Sequence, residues 1–193
     1  LKKIVSKRKK ICELKFNNPQ IMGILNVTPD SFSDGGLFFE KKDANKQIKL
    51  MLSDGAKIID IGGESTRPGS KTINAAQEWS RINIIISKFK KKFPKALLSL
   101  DTRKSKVMIN GIKNGVDIIN DVSGLNFDKK SFDVVKSKKI PLILHHMQGT
   151  PNTMQVNPTY DDVLLDIYDF FESKINFFIK KGYKKKLIIL DPG

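Results

Sequence analysis

Six short apolar runs recur along the chain, each too short for a helix and bounded by turn residues: Ile21 to Val27, Lys57 to Ile61, Leu97 to Leu100, Val116 to Asn120, Pro141 to His145 and Leu187 to Leu190. Runs of Ile, Leu and Val without polar alternation suit strands covered on both faces of a parallel sheet. Between them, apolar residues fall three and four apart, as in Ile82, Ile85, Phe89 and Phe93, or Val163, Ile167, Phe170 and Phe178. That spacing is the buried stripe of an amphipathic helix. Gly55, Gly115 and Gly182 each stand between such a helix and the next strand, where a left-handed residue ends a helix, so the helix-to-strand turns are short.

Strict alternation of six strands and five helices predicts an α/β chain, most of a (β/α)8 TIM barrel, as one incomplete domain over residues 1–193 truncated at its C-terminal side. A doubly wound open sheet is the alternative, but no Gly-rich phosphate turn follows the first strand. At 193 residues the chain is large enough for one sizeable core, and no apolar run approaches the 18 or so residues of a membrane span. A membrane partner is therefore not expected.

The net charge of +15 would suit a polyanion partner, yet it comes from 31 Lys and only 4 Arg, with 24 Ile and 5 Ala, the drift of an AT-rich coding sequence. Arg is the residue for bidentate phosphate and base recognition, so the basic runs Lys2 to Lys10 and Lys180 to Lys186 read as solvated surface and no nucleic-acid partner is expected. A single cysteine, Cys12, permits neither an internal disulfide nor a cysteine metal cluster, which fits the cytoplasm. The N-terminus lacks the apolar stretch of a secretory signal. Because it starts at Leu1 rather than Met, the chain is expected to begin inside a longer reading frame.

The strand-to-helix connections, Thr28 to Glu40, Gly62 to Asn74 and Met147 to Thr159, are long and rich in Pro, Gly, Ser, Thr and Asn, which marks one end of the barrel as the functional face. The strand ends leading into that face carry Asn26, Asp60, Glu64, Asp101, Asn120, Asp121, His146 and Asp191. Amides and carboxylates with fixed donor and acceptor faces suit a flat, hydrogen-bonding heterocycle. No Ser or Cys lies in a relay with a His. His145 and His146 are adjacent on a strand and face opposite ways, so a paired histidine metal site is not expected and one of the two is left to line the mouth.

The run Ile21-Met-Gly-Ile-Leu-Asn-Val-Thr-Pro-Asp-Ser-Phe-Ser-Asp-Gly-Gly36 resembles the opening signature of the dihydropteroate synthase family. It is followed in order by Ile58-Ile-Asp-Ile-Gly-Gly-Glu-Ser-Thr-Arg-Pro-Gly69, Leu100-Asp-Thr102, Ile118-Ile-Asn-Asp-Val-Ser-Gly124, His146-Met-Gln-Gly-Thr-Pro151 and Ile189-Leu-Asp-Pro-Gly193. The resemblance implies an eight-stranded barrel and a folate-pathway transferase, a sulfonamide target. That enzyme joins p-aminobenzoate to 6-hydroxymethyl-7,8-dihydropterin pyrophosphate, giving 7,8-dihydropteroate and pyrophosphate. By the same resemblance, Asn26 is a ligand of Mg2+ beside the pyrophosphate, and Asp101, Asn120 and Asp191 form the pterin pocket, with Met147 and Gln148 at its wall or rim. Thr66, Arg67 and Pro68 contact pyrophosphate and p-aminobenzoate, and Phe32 and Asp34 close over the reacting centre beside Asp101. The family pattern adds two further strands with a lysine, an arginine and a histidine, and a homodimer interface, none of which can be assigned to residues here. A reduced-pterin methyltransferase of the same superfamily, or an inactive pterin-binding or polyanion-binding fragment, is the alternative.

Overall fold

The computed structural model describes residues 10–12, 14–15, 18–28, 36–65, 70–150, 153–154 and 157–193. A short antiparallel hairpin, β1 (Lys10–Ile11) with β2 (Leu14–Lys15), precedes six parallel strands. These are β3 (Met22–Asn26), β4 (Ile58–Gly62), β5 (Leu97–Asp101), β6 (Ile118–Asp121), β7 (Leu142–His145) and β8 (Ile188–Asp191), and they pair strictly in chain order. Helices α1 (Gly36–Ser53), α2 (Ala75–Lys92), α3 (Ser105–Lys113), α4 (Ser131–Lys138) and α5 (Val163–Lys180) fill the crossovers. The expected alternation holds, and the sheet is an open barrel wall with β3 and β8 as its edges.

Strand register sorts the side chains onto two faces. Met22 lies beside Ile58 and Leu97, and the next row holds Ile24, Asp60, Ser99 and Ile118. Above it, Asn26, Gly62, Asp101, Asn120, Ile143 and Ile189 share a row, with His145 opposite Asp191 last. On this inner face Ile58, Ile118 and Ile143 form a second apolar cluster with Met22, Leu97 and Ile189 and with Cys12 and Leu14 of the hairpin. One mouth of the barrel is thus stopped with apolar side chains, and polarity rises toward the other.

The outer face is the main core. Ile59, Ile61, Leu98, Leu100 and Ile119 are fully buried against helix residues such as Ile48, Ile86, Phe89 and Met108, and each such side chain contributes roughly 1.5–3 kcal/mol. Asn74 caps α2 by accepting from the Gln77 N–H while the Gln77 side chain accepts from the Asn74 N–H. Asp162 caps α5 through the N–H groups of Leu164 and Leu165. Both devices satisfy donors that an unsupported helix start would leave unpaired. Gly55 and Gly115 adopt the expected positive φ, 107° and 90°. The α5 stripe departs from expectation: Val163 is 55% exposed, and Phe171 and Phe178 are buried. Val163 opens the helix, where the chain has not yet turned onto the sheet. No helix among the described residues is long and apolar enough to cross a membrane.

Candidate active site

Asp60, Asp101 and Asn120 meet on the inner face because strand pairing puts Asp101 opposite Asn120 and Asp60 opposite Ser99, two residues before Asp101, and every second residue of a strand points the same way. The Asn120 Nδ2 donates to Asp60 Oδ2 at 3.0 Å. Asp60 Oδ1 and Asn120 Oδ1 are buried without a hydrogen-bond partner at normal distance. Burial raises the Asp60 carboxyl above the usual carboxylate range, the Ser99 hydroxyl and the Asn120 amide offset only part of that, and the Asp191 charge adds a little to the rise. Asp101 is raised well above that range, first by loss of hydration and then by the charges of Asp60, Asp121 and Glu78, against which Arg103 acts. An unpartnered acceptor in a dry place is costly. Donors arriving with a ligand would relieve that cost.

Gly62 stands between Asn26 and Asp101. A Cβ there would lie 3.3 Å from both Asn26 Oδ1 and Asp101 Oδ2, so only glycine leaves the gap between these oxygens open. Asn26 itself is exposed at the end of β3, and its amide oxygen is a hard ligand of the kind Mg2+ takes. Among the described residues, no group of three or more His, Cys, Asp or Glu side chains is placed to hold a metal ion. A lone amide oxygen of this kind suits an ion such as Mg2+ whose other positions go to phosphate and water.

At the far side of the mouth, His145 Nδ1 lies 3.2 Å from Asp191 Oδ2. His145, not His146, lines the mouth, and this corrects the strand-end ring expected from sequence. His146 is buried on the opposite face with its ring edge-on to Phe170, centroids 4.9 Å apart. Met147 is half-buried at the start of the following loop. Gln148 uses both ends of its amide on the Thr159 backbone, at 2.7 and 3.2 Å, so it closes the base of that loop and is not left to line the pocket.

Asp121 and Glu64 also leave the expected ring. Asp121 points to the outer face, where its Oδ1 accepts from the Ser123 N–H at 2.8 Å and Oγ at 2.6 Å. Burial pushes its carboxyl from 3.8 up to about 6, with the Ser123 bonds and the Arg103 charge opposing. The folded chain thus holds a proton that the unfolded chain has lost. The contribution to stability is whole below pH 3.8 and is lost as pH rises through about 6. Asp121→Asn is expected to be the more stable protein at pH 7, by up to about 3 kcal/mol, with a shallower loss between pH 4 and 6. Denaturant unfolding across that range checks it, and parallel pH profiles for variant and parent would contradict it.

Glu64 heads a buried charge network that the sequence did not disclose. Its Oε2 accepts from Arg103 Nη2 and Lys104 Nζ, both at 2.8 Å, and its Oε1 accepts from the Ile73 N–H at 3.0 Å. Lys104 Nζ also reaches Glu78 Oε2 at 2.7 Å. Burial alone would raise the Glu64 carboxyl, but the bonds from Lys104, Arg103 and Ile73 outweigh it and hold it below the usual range. Arg103 also lies over the Phe127 ring, 4.3 Å from its centroid. The only local signal was a basic pair directly after the strand-end Asp101-Thr102. Phe32, Asp34, Thr66, Arg67 and Pro68 lie outside the described residues.

The sequence model of a family described as pterin binding enzyme matches residues 22–193. The dihydropteroate synthase of Escherichia coli K12 is 41% identical over 180 residues, covering 93% of this chain and 63% of that protein. A mitochondrial bifunctional folate synthesis protein of Pisum sativum is 42% identical over 178 residues, covering 90% of this chain and 34% of that one. Among solved structures, a Yersinia pestis dihydropteroate synthase in complex with a sulfonamide drug superposes with a TM-score of 0.85 at 40% identity, covering 93% of this chain and 65% of that one. The Xanthomonas albilineans enzyme with 4-aminobenzoic acid gives 0.84 at 36% identity, covering 93% and 63%. The chain thus spans a little under two thirds of the length of the single-function relatives it matches.

Proposed function

The chain belongs to the pterin binding enzyme family, and on that premise we propose that the complete protein is a dihydropteroate synthase. It joins p-aminobenzoate to 6-hydroxymethyl-7,8-dihydropterin pyrophosphate and releases pyrophosphate. The observation that carries this reading is the inner face itself, where Asp60 and Asn120 each hold a buried acceptor oxygen without a hydrogen-bond partner and Asp101 stands opposite Asn120. A reduced pterin is flat and offers an amino group and ring N–H donors along one edge. Paired N–H bonds to a carboxylate are short and strong in a site shielded from water.

The reaction needs no nucleophilic side chain. The bond from the methylene carbon to pyrophosphate oxygen breaks, the arylamine nitrogen bonds to that carbon, and the amine proton passes to solvent. Between those events positive charge grows on the pterin, with Asp60, Asp101 and Asp191 on one side of it, and that growing charge favours the ionised forms of Asp60 and Asp101, which burial otherwise disfavours. Asn26 would hold Mg2+, which when bound neutralises the departing pyrophosphate. Thr66, Arg67 and Pro68 are proposed to grip the pyrophosphate and p-aminobenzoate, and Phe32 and Asp34 to exclude water. We place Met147 at the pterin rim, the enzyme in the cytoplasm and the complete protein in a homodimer.

The test is pyrophosphate release by the protein expressed from its complete gene. Release that requires both dihydropterin pyrophosphate and p-aminobenzoate is expected, and sulfonamides should raise the KM for p-aminobenzoate without lowering kcat. Methyl transfer to a corrinoid in place of pyrophosphate release would favour a reduced-pterin methyltransferase. Steeply salt-dependent nucleic-acid binding without pterin affinity would favour a polyanion-binding role.

A further inference from the structure

Two substrate-facing loops, those following β4 and β5, are joined beneath the mouth by one carboxylate. Glu64 lies two residues past the end of β4, and Arg103 and Lys104 lie two and three residues past Asp101. All three side chains are less than a tenth exposed. The same carboxylate accepts from the Ile73 N–H, so it also ties down the far end of the β4 loop. A second bond ties the two ends of that loop, where Ser70 Oγ donates to the Ser65 carbonyl at 2.6 Å. Arg81 Nη1 donates to the Gly63 carbonyl at 2.8 Å, and Lys104 runs on to Glu78, so the loop base is moored to α2 as well.

We propose that Glu64 is a positioning residue, which fixes the base of the β4 loop relative to Asp101 and so sets how the anionic leaving group and the arylamine are held. This rests on the dihydropteroate synthase reading. A loop base held by five donors to two carboxylates and two carbonyls loses little entropy when substrate arrives, and a misplacement of about 1 Å is worth up to a hundredfold in rate. The pterin contacts of Asp60 and Asn120 lie on the strands themselves and do not depend on it.

The experiment compares Glu64→Gln with Ser70→Ala in the protein from its complete gene. Glu64→Gln removes the charge from a buried network and risks the fold, whereas Ser70→Ala removes one loop tie and leaves every buried charge paired. For both variants the expected result is a KM for p-aminobenzoate raised about tenfold and a lower kcat, with affinity for a pterin analogue within about twofold of the parent. Hydrogen exchange in the peptide spanning 65–73 should rise in both, a readout that needs no turnover. Parent-like KM and kcat in a folded Ser70→Ala protein with faster exchange would overturn the proposal. Equal loss of pterin affinity and p-aminobenzoate handling would overturn it too, because a general structural role would act on both. If the parent itself releases no pyrophosphate, the functional reading fails, and the exchange data alone report whether Glu64 orders the loop.

Discussion

Asp101→Ala is expected to lower kcat/KM of the complete enzyme by about a hundred- to a thousandfold, while leaving its thermal midpoint unchanged or raised. The two halves of that result share one cause. Asp101 sits in a poorly hydrated row within reach of the Asp60, Asp121 and Glu78 charges, so its ionised form is held at a cost to the folded chain. On the proposed reading, that stability cost is offset by what the carboxylate does in binding and charge stabilisation. Asp191→Ala should be the milder variant, since Asp191 is 42% exposed and paired with His145. Steady-state kinetics beside calorimetry separate the two effects. Near-parent turnover in Asp101→Ala would remove the inner-face row from the site, and a collapse of the midpoint would make its role structural.

The largest effect on stability is expected from Lys104→Met. The methionine keeps the volume of the stem but removes the ammonium shared by Glu64 and Glu78. Glu64 retains Arg103, whereas Glu78, fully buried and with its Oε1 already unpartnered, loses its cation. Breaking one side of a buried pair costs about 3–5 kcal/mol, which at this chain length lowers the midpoint by roughly 10 °C. Adding Glu78→Gln should return much of the loss, because the stranded charge is then gone. A Lys104→Met protein within about 1 kcal/mol of the parent would mean that solvent reaches the network and that its pairs contribute little.

The strand and helix alternation was legible because each run carried its own signal. Runs such as Ile58 to Ile61 and Leu97 to Leu100 are too short and too apolar for anything but covered strands, and Gly55 and Gly115 marked the helix ends through the positive φ they adopt. The strand-end motifs were legible for the same reason, being contiguous in the chain. The meeting of Asp60, Asp101 and Asn120 was set by the pairing of three neighbouring strands, which puts Asp101 opposite Asn120 and Asp60 opposite Ser99, two residues before Asp101.

Which face is which was beyond the sequence. A strand covered on both sides shows no polar alternation, so nothing local distinguishes His145 from His146 or Asn120 from Asp121. Packing decided it: the hairpin residues Cys12 and Leu14 fill the lower lumen beside Ile58, Ile118 and Ile143, the helices cover the other side, and parity then sends His146 and Asp121 outward. The Glu64 network was hidden for a different reason. Its partners are 39 and 40 residues away, and a buried ion pair leaves no periodic trace, since only the fold brings Arg103 and Lys104 against Glu64. The sequence by itself determined the order of strands and the residues at their ends. The tertiary structure alone decided which of those ends face the lumen and which charges are buried together, because both depend on the surface that covers each strand.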